Sequence, residues 1–422
     1  MADAAPTASL SSPEAAQWNK ELMQRFQVAL EKDPTADLMS MFPSSYLHKH
    51  QIAQYRQQSY AGQINSRTLN ELQDRLDHEP EVNLLSIFPK NYTRRITMAT
   101  DKPDKKESPG SRERLDLAET ASVVFPLSEE VTALLAPYSE DRTGDSGKSL
   151  LHSLKQILCN SPSLWDDCSR RIVVKCSDNI VVKVIMGTKE FTEYTTLQYL
   201  AEHMPDIPAP RPHGVILFAP FRAVFMSYIP GTTLTQAWPT MTHDEKVSIQ
   251  HQLDEILCRM RRLRPPDGSM LGGVTGEGVK EMRISERSLF KKIMTTTEFS
   301  DLQFSARHHG SNTYVKFLRS LLEHDRSTSE QELVFTHGDI RTDNIIVTQG
   351  TDVNSGYIVS GIIDWENSGF YPGFYECTTV TRTMSMVDED EWFLYLPDSI
   401  SPSHYPVRWL VDRLWEIHIW TT

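Results

Sequence analysis

Two short stretches hold the residue types best suited to chemistry, Phe335-Thr336-His337-Gly338-Asp339-Ile340-Arg341-Thr342-Asp343-Asn344-Ile345-Ile346-Val347 and Ser360-Gly361-Ile362-Ile363-Asp364-Trp365-Glu366. Ile345–Val347 and Tyr357–Ile363 are apolar, β-branched runs on either side of a turn-rich segment containing Gly350, Asp352, Asn354 and Gly356, the pattern of a hairpin. An antiparallel hairpin sets the start of its first strand beside the end of its second. Asn344 and Asp364 are therefore expected at its open end, next to the loop carrying Asp339. Two carboxylates and an amide oxygen suit a hard cation such as Mg²⁺, which keeps waters and takes further ligands from phosphate oxygens. With Asn344 and Asp364 on the metal, Asp339 is left to orient or deprotonate a hydroxyl. His337 reads as a structural residue holding the loop.

The spacing His337-x-Asp339-x-x-x-x-Asn344 with a later Ile363-Asp364-Trp365-Glu366 resembles the catalytic and metal loops of the aminoglycoside phosphotransferase and choline kinase-like family, relatives of protein kinases. Asn367 to Glu376 resembles the stretch after the metal aspartate in fungal members, with Glu376 anchoring the loop by a salt bridge. The resemblance implies an α+β, two-lobed protein kinase-like fold. It also implies Mg²⁺-dependent transfer of the γ-phosphoryl of ATP or GTP to the hydroxyl of a small molecule, amine-bearing alcohols included. By the same match, the lysine of Val181-Val182-Lys183 holds the nucleotide phosphates and Glu193 is its helical partner. Phe225 to Gly231 resembles the segment linking the lobes, where Met226 abuts the base while the Ser227 carbonyl and the Ile229 amide bond its edge.

The resemblance spans about Trp165 to Trp392 and departs from protein kinases in two places. No Gly-rich loop lies between Trp165 and Lys183, where Cys176-Ser177-Asp178-Asn179 offers only a turn, and no Ala-Pro-Glu-like motif closes an activation segment. Both departures favour a small-molecule kinase over a protein kinase. The rival reading is a catalytically weak pseudokinase acting as a nucleotide-binding scaffold; the intact Asp339, Asn344 and Asp364 count against it.

The elements that must position these residues are legible upstream. Ile172–Lys175 and Ile180–Ile185 read as a hairpin, Glu190–His203 as a helix, and Val215–Phe218 and Ala223–Ile229 as two more strands. Val247–Arg262 reads as an amphipathic helix, with Phe290–Ile293 and Tyr314–His324 as further helices. The loop with Gly268, Gly272, Gly273, Gly276 and Gly278 follows a helix and Pro265-Pro266 rather than a strand, a poor nucleotide-binding context. Trp365, Phe370, Tyr371, Phe374, Tyr375 and Trp392, with the acidic run Asp388–Glu391, read as core packing and a helix start in preference to a cation-binding acceptor site.

The remaining chain divides into a disordered tail (1–13), a duplicated helical module (14–100), a charged linker (101–127) and a helical extension (128–164). The small lobe (165–229) and large lobe (230–422) follow. In the duplication, Leu30-Glu31-Lys32-Asp33-Pro34 with Leu38 to Pro43 and Tyr46 recurs as Leu76-Asp77-His78-Glu79-Pro80 with Leu84 to Pro89 and Tyr92. Such a pair suits a protein partner or a dimer contact as well as a structural cover. Gly144 to Ser149 ends like a P-loop, but Arg142 stands where its first glycine belongs.

A length of 422 residues with 39% hydrophobic content fits globular domains, and a net charge of −13 argues against nucleic-acid binding. No run approaches the ~18 apolar residues of a membrane span. Met1 to Pro6 lacks signal-peptide character. The five cysteines, Cys159, Cys168, Cys176, Cys258 and Cys377, include no CxxC pair and read as reduced thiols of a cytoplasmic protein.

Overall fold

The computed structural model describes residues 13–35, 37–38, 60–89, 92 and 96, then 118–421 apart from 140–145, 167–170, 267, 286–287, 309, 324–331, 351–355 and 385–389. The chain divides into two units, Met1–Glu107 and Ser108–Thr422. In the first, helices α1 (Pro13–Lys32) and α2 (Tyr60–His78) end at matching positions of the duplication, and a short α3 (Leu84–Ile87) follows the second. Leu22, Ile64 and Thr68 are buried there. The second apolar piece of the first copy beyond Leu38 lies outside the described residues, as do most of the tail, the charged run 101–114, Gly144 and Asp145.

The second unit begins with strand β1 (Ser122–Phe125), α4 (Glu129–Leu135) and α5 (Ser146–Asn160). Strands β2 (Ser163–Asp166), β3 (Arg171–Lys175) and β4 (Ile180–Met186) lead to helix α6 (Thr192–His203), then β5 (Pro212–Phe218) and β6 (Phe221–Ser227). These six strands form one antiparallel sheet in the order β1-β5-β6-β4-β3-β2. The strand Ser122–Phe125 lies inside the span expected as linker, which it corrects. The helices expected as an extension pack on the sheet itself: Val131, Leu151, Leu154 and Leu158 cover Ile180, Val182 and Val184.

Successive strand side chains point to opposite faces. With Ile180, Val182 and Val184 facing α4 and α5, Val181 and Lys183 face the other way, where Val181 joins Tyr194, Leu197 and Leu200 of α6 in the main core. The alternation thus delivers a lysine to the α6 side of the sheet.

The large lobe opens with β7 (Thr232–Thr233) and α7 (Leu234–Ala237). Helix α8 (His243–Met260) is started by a capping box between Thr242 and Glu245. Ile249, Leu253, Leu257 and Met260, spaced at helical period, bury one face of α8 against Val359, Ile362 and Trp365. Beyond it come β8 (Val279–Lys280), β9 (Leu289–Phe290), α9 (Thr296–Gln303) and α10 (Asn312–Glu323). The helix expected at Phe290–Ile293 is instead the short strand β9, with Phe290 opposite Val279.

Strands β10 (Leu333–Thr336), β11 (Ile345–Gln349), β12 (Tyr357–Ile362) and β13 (Gly369–Pro372) carry the motif stretches, and α11 (Tyr375–Val380) and α12 (Pro406–Thr421) close the lobe. Two antiparallel ladders set the geometry. In β11–β12, Ile345 pairs with Ile362, and in β10–β13, Thr336 pairs with Gly369. The loop leaving β10 and the loop entering β13 therefore emerge side by side. No helix among the described residues is long and apolar enough to cross a membrane.

Candidate active site

The loop at His337–Asp339 is fixed almost entirely by hydrogen bonds to its backbone. Glu376 Oε2 accepts from the His337 amide at 2.6 Å and Oε1 from the Gly338 amide at 3.0 Å, while the Ser368 hydroxyl donates to the His337 carbonyl at 3.0 Å. Glu376, expected to anchor the stretch after Asp364 by a salt bridge, holds the His337–Asp339 loop instead, through amide donors. Gly338 has φ +82°, and a Cβ there would lie 2.6 Å from the Asn367 carbonyl oxygen, so only glycine fits this turn.

His337 is fully buried, and its Nδ1 accepts from the Asp339 amide at 3.2 Å. Its Nε2, 3.1 Å from the Ile363 carbonyl, must then be the protonated nitrogen. Burial pushes this histidine down to about 4, so it is neutral near pH 7. It ties the Asp339 loop to the Asp364 loop.

Asn344 Nδ2 donates to both the Asp339 carbonyl, at 2.9 Å, and Asp339 Oδ2, at 3.0 Å. That spends the amide nitrogen on the loop and leaves Oδ1 as the atom for an outside ligand. Burial raises Asp339 to about 6, with Arg341 opposing the shift from 3.5 Å. A carboxylate poised there is a competent base near neutral pH. Asp343 is exposed and accepts from the Thr235 hydroxyl.

Asp364 sits in the left-handed region, φ 67° and ψ 60°, unusual for a non-glycine residue and typical of functional loops. Lys183 Nζ lies 2.5 Å from Asp364 Oδ1, 2.9 Å from Glu193 Oε2 and 3.4 Å from Glu366 Oε2. Despite burial, Asp364 and Glu193 hold the ammonium well above its ordinary value. Asp364 is held down to about 2, Lys183 outweighing the effect of burial. Glu366 also pairs with Arg171 at 2.8 Å.

On the sheet side, Met226 is buried in β6 opposite Val181. The Ser227 amide donates to the Arg211 carbonyl at 2.9 Å, and the Tyr228 amide to Asn179. Ile229 packs over Gly361, where a Cβ would sit 2.5 Å from its Cδ1. The linking segment is thereby fastened to both lobes.

Thus Lys183, Glu193 and Asp364 form one side-chain group and Asp339 and Asn344 a second, bridged by His337, while Met226 and Ser227 lie on β6 and Ile229 on the segment after it. The sequence reading did not single out Glu366, Arg171 or Arg341. Glu366 carried a signal, since it stands two residues after Asp364 in the same motif. The aromatic set does not form an acceptor surface: Trp365, Phe370, Tyr371, Phe374, Tyr375 and Trp392 are all buried core. Asp390 caps the short turn at Glu391–Tyr395, while Asp388 and Glu389 lie outside the described residues.

The cluster supplies an oxygen donor set that fits a hard divalent cation. Glu193, Asp364 and Glu366 each present an oxygen within 4.8 Å of the others, gathered here around the Lys183 ammonium, and carboxylate oxygens are the donors such a cation takes.

The model of the phosphotransferase enzyme family (APH) matches residues 191–402, half of the chain. The chain belongs to this family. Its α+β architecture, a sheet lobe and a helical lobe joined at Ser227–Gly231, is the two-lobed kinase-like one. No curated protein matches the chain. Similar solved structures include a thermostable mutant of aminoglycoside phosphotransferase APH(4)-Ia in a ternary complex with ADP and hygromycin B. It is 13% identical with TM-score 0.41, covering 62% of this chain and 88% of that one. The streptomycin–ATP–APH(2")-IIa ternary complex is 12% identical with TM-score 0.38, covering 62% and 88%. A fructosamine-3-kinase of Haemophilus somnus 129PT is 10% identical with TM-score 0.36, covering 61% and 81%.

Proposed function

We propose that this phosphotransferase moves the γ-phosphoryl group of ATP or GTP to a hydroxyl of a small molecule, with Mg²⁺ as cofactor. The observation that carries the reading is the Asp339 carboxylate, raised by burial and bonded to Asn344, beside the buried Lys183–Glu193–Asp364 cluster. The base of the nucleotide lies along Met226, with the Ser227 carbonyl and the Ile229 amide at its edge. Lys183, kept charged and directed by Glu193, receives the α- and β-phosphates. Asn344 and Asp364 hold the metal, which when bound neutralises phosphate charge.

Asp339 accepts the acceptor's hydroxyl proton as that oxygen bonds to the γ-phosphorus and the bond from the γ-phosphorus to the β–γ bridging oxygen breaks, releasing the diphosphate. Phosphoryl transfer asks mainly for this positioning and charge neutralisation. Amine-bearing alcohols, aminoglycosides and sugars are the acceptor classes to test, in a cytoplasmic setting. The duplicated helices of the first unit are assigned to a protein partner or to self-association, on the repeat alone.

A second reading, a weak pseudokinase scaffold, draws on the direct bond between Lys183 and Asp364 and on the short Cys176–Asn179 turn in place of a Gly-rich loop. Thermal melts with ATP or GTP, with and without Mg²⁺, separate the two. A stabilisation that requires both nucleotide and metal, followed by turnover on an acceptor panel, supports the enzyme; nucleotide binding indifferent to metal and without turnover supports the scaffold.

A further inference from the structure

The glycine-bearing loop at 268–278, rejected as a nucleotide loop, is built into the site from behind. Gly272 and Phe370 exchange both backbone hydrogen bonds, at 2.9 and 2.8 Å, which fastens the segment to the strand following Asp364. The segment folds back on itself: Gly272 has φ +102°, and a Cβ there would stand 2.0 Å from the Gly278 carbonyl oxygen. Its far end is held by Tyr371 and Tyr375, whose hydroxyls bond the Lys280 amide and carbonyl at 3.3 and 3.2 Å. The backbone of 272–280 is thus a rigid extension of the metal-loop side of the large lobe.

From this frame two side chains reach α6 and Glu190, just ahead of it. Lys280 Nζ, buried, donates to the Glu366 carbonyl at 3.0 Å and to Glu190 Oε1 at 2.5 Å, and Glu190 also faces Arg222 at 3.8 Å. Glu277 accepts from the Thr195 hydroxyl with one oxygen and from the Thr275 amide with the other. Glu190 and Thr195 bracket Glu193 in sequence, so the two ties grip the stretch that presents Glu193 to Lys183.

We propose that 272–280 is a positioning strap whose Lys280 and Glu277 couple the placement of α6 to the metal loop, and so set the Lys183–Glu193–Asp364 geometry. Lys280 is a positioning residue that touches no substrate. The proposal rests on the phosphotransferase reading for what that geometry serves.

The test uses the full chain with Lys280→Met, Lys280→Arg and the half-buried, milder Glu277→Gln. Mg²⁺ with a non-hydrolysable ATP or GTP analogue is titrated calorimetrically, and amide exchange is followed over 190–200. Lys280→Met is expected to weaken binding about 10-fold or more and Glu277→Gln about 3-fold, with faster exchange in α6 for both, while Lys280→Arg stays near wild type. In a Glu193→Gln background, Lys280→Met should change affinity less than about twofold, since both act on one relationship. Additive losses in that cycle, or unaltered α6 exchange in both Lys280→Met and Glu277→Gln, overturn the strap. A wild-type chain that binds no Mg²⁺-nucleotide overturns the phosphotransferase reading instead, and α6 exchange alone then decides whether the ties hold the helix.

Discussion

Lys183 Nζ and Asp364 Oδ1 lie 2.5 Å apart, joining one of the two central strands of a six-stranded sheet to the mouth of a hairpin in the other lobe. The same ammonium serves Glu193 and Glu366. That cation touches three carboxylates where none of them is well hydrated, and Arg171 supports it only at Glu366, from 2.8 Å.

Lys183→Met should leave Glu193 and Asp364 without their ammonium, Arg171 remaining at Glu366. Breaking a buried ion pair from one side costs about 3–5 kcal/mol. Denaturant unfolding at neutral pH is expected to show a loss of that order, partly restored by millimolar Mg²⁺. An unchanged midpoint would mean the carboxylates are neutralised by other groups.

Asp339→Asn keeps the shape of the loop and the bond to Asn344. Loss of a general base typically costs 10²–10⁴-fold in rate. Turnover should fall by about that factor once an acceptor is in hand, with Mg²⁺-nucleotide affinity and melting temperature near wild type. Equal rates for the two proteins would remove Asp339 from the chemistry.

Gly338→Ala tests the turn itself. The added methyl meets the Asn367 carbonyl oxygen at 2.6 Å in a left-handed backbone, an expected cost of about 1–3 kcal/mol. Because Asp339 follows directly, turnover should drop more than stability alone explains, read as a fall in kcat at a temperature where the variant remains folded.

Acid stability should depend on Glu281, which follows Lys280 and is fully buried. Burial alone would raise its carboxyl, but Arg382 and Arg283 hold it down to about 2. A folded value below the unfolded one near 4.5 means the unfolded chain takes the proton first. This contribution is thus complete above about pH 5 and lost as pH falls towards 2, about 3 kcal/mol in all. Glu281→Gln should flatten the unfolding free energy across that window, and an identical pH profile would exclude the residue.

What could be read from residues alone follows periodicity. The alternation around Lys183, the hairpin runs flanking Asn344 and Asp364, and the helical spacing of α6 are local patterns; the pairing of Lys183 with Glu193, 2.9 Å apart, comes from the family resemblance. What could not be read depends on distant partners. Nothing local says that Lys183 bonds Asp364, that Glu376 reaches amides instead of a cation, or that Lys280 spans Glu190 and the Glu366 carbonyl. Strand β1 escaped for another reason: four residues, three of them exposed at a sheet edge, carry almost no alternation. The pair Leu289–Phe290 is shorter still, and only its partner β8 makes it a strand.

The covering of the small-lobe sheet by α4 and α5 has a practical corollary. The recognisable kinase-like motifs begin well after these helices, yet Ile180, Val182, Val184 and Phe225 rest against them. A shortened protein beginning at Trp165 would expose this aliphatic surface to water and should precipitate or be cleared by proteases. Ala118 and Ala121 belong to the same core, so a shortened protein should keep them along with both helices.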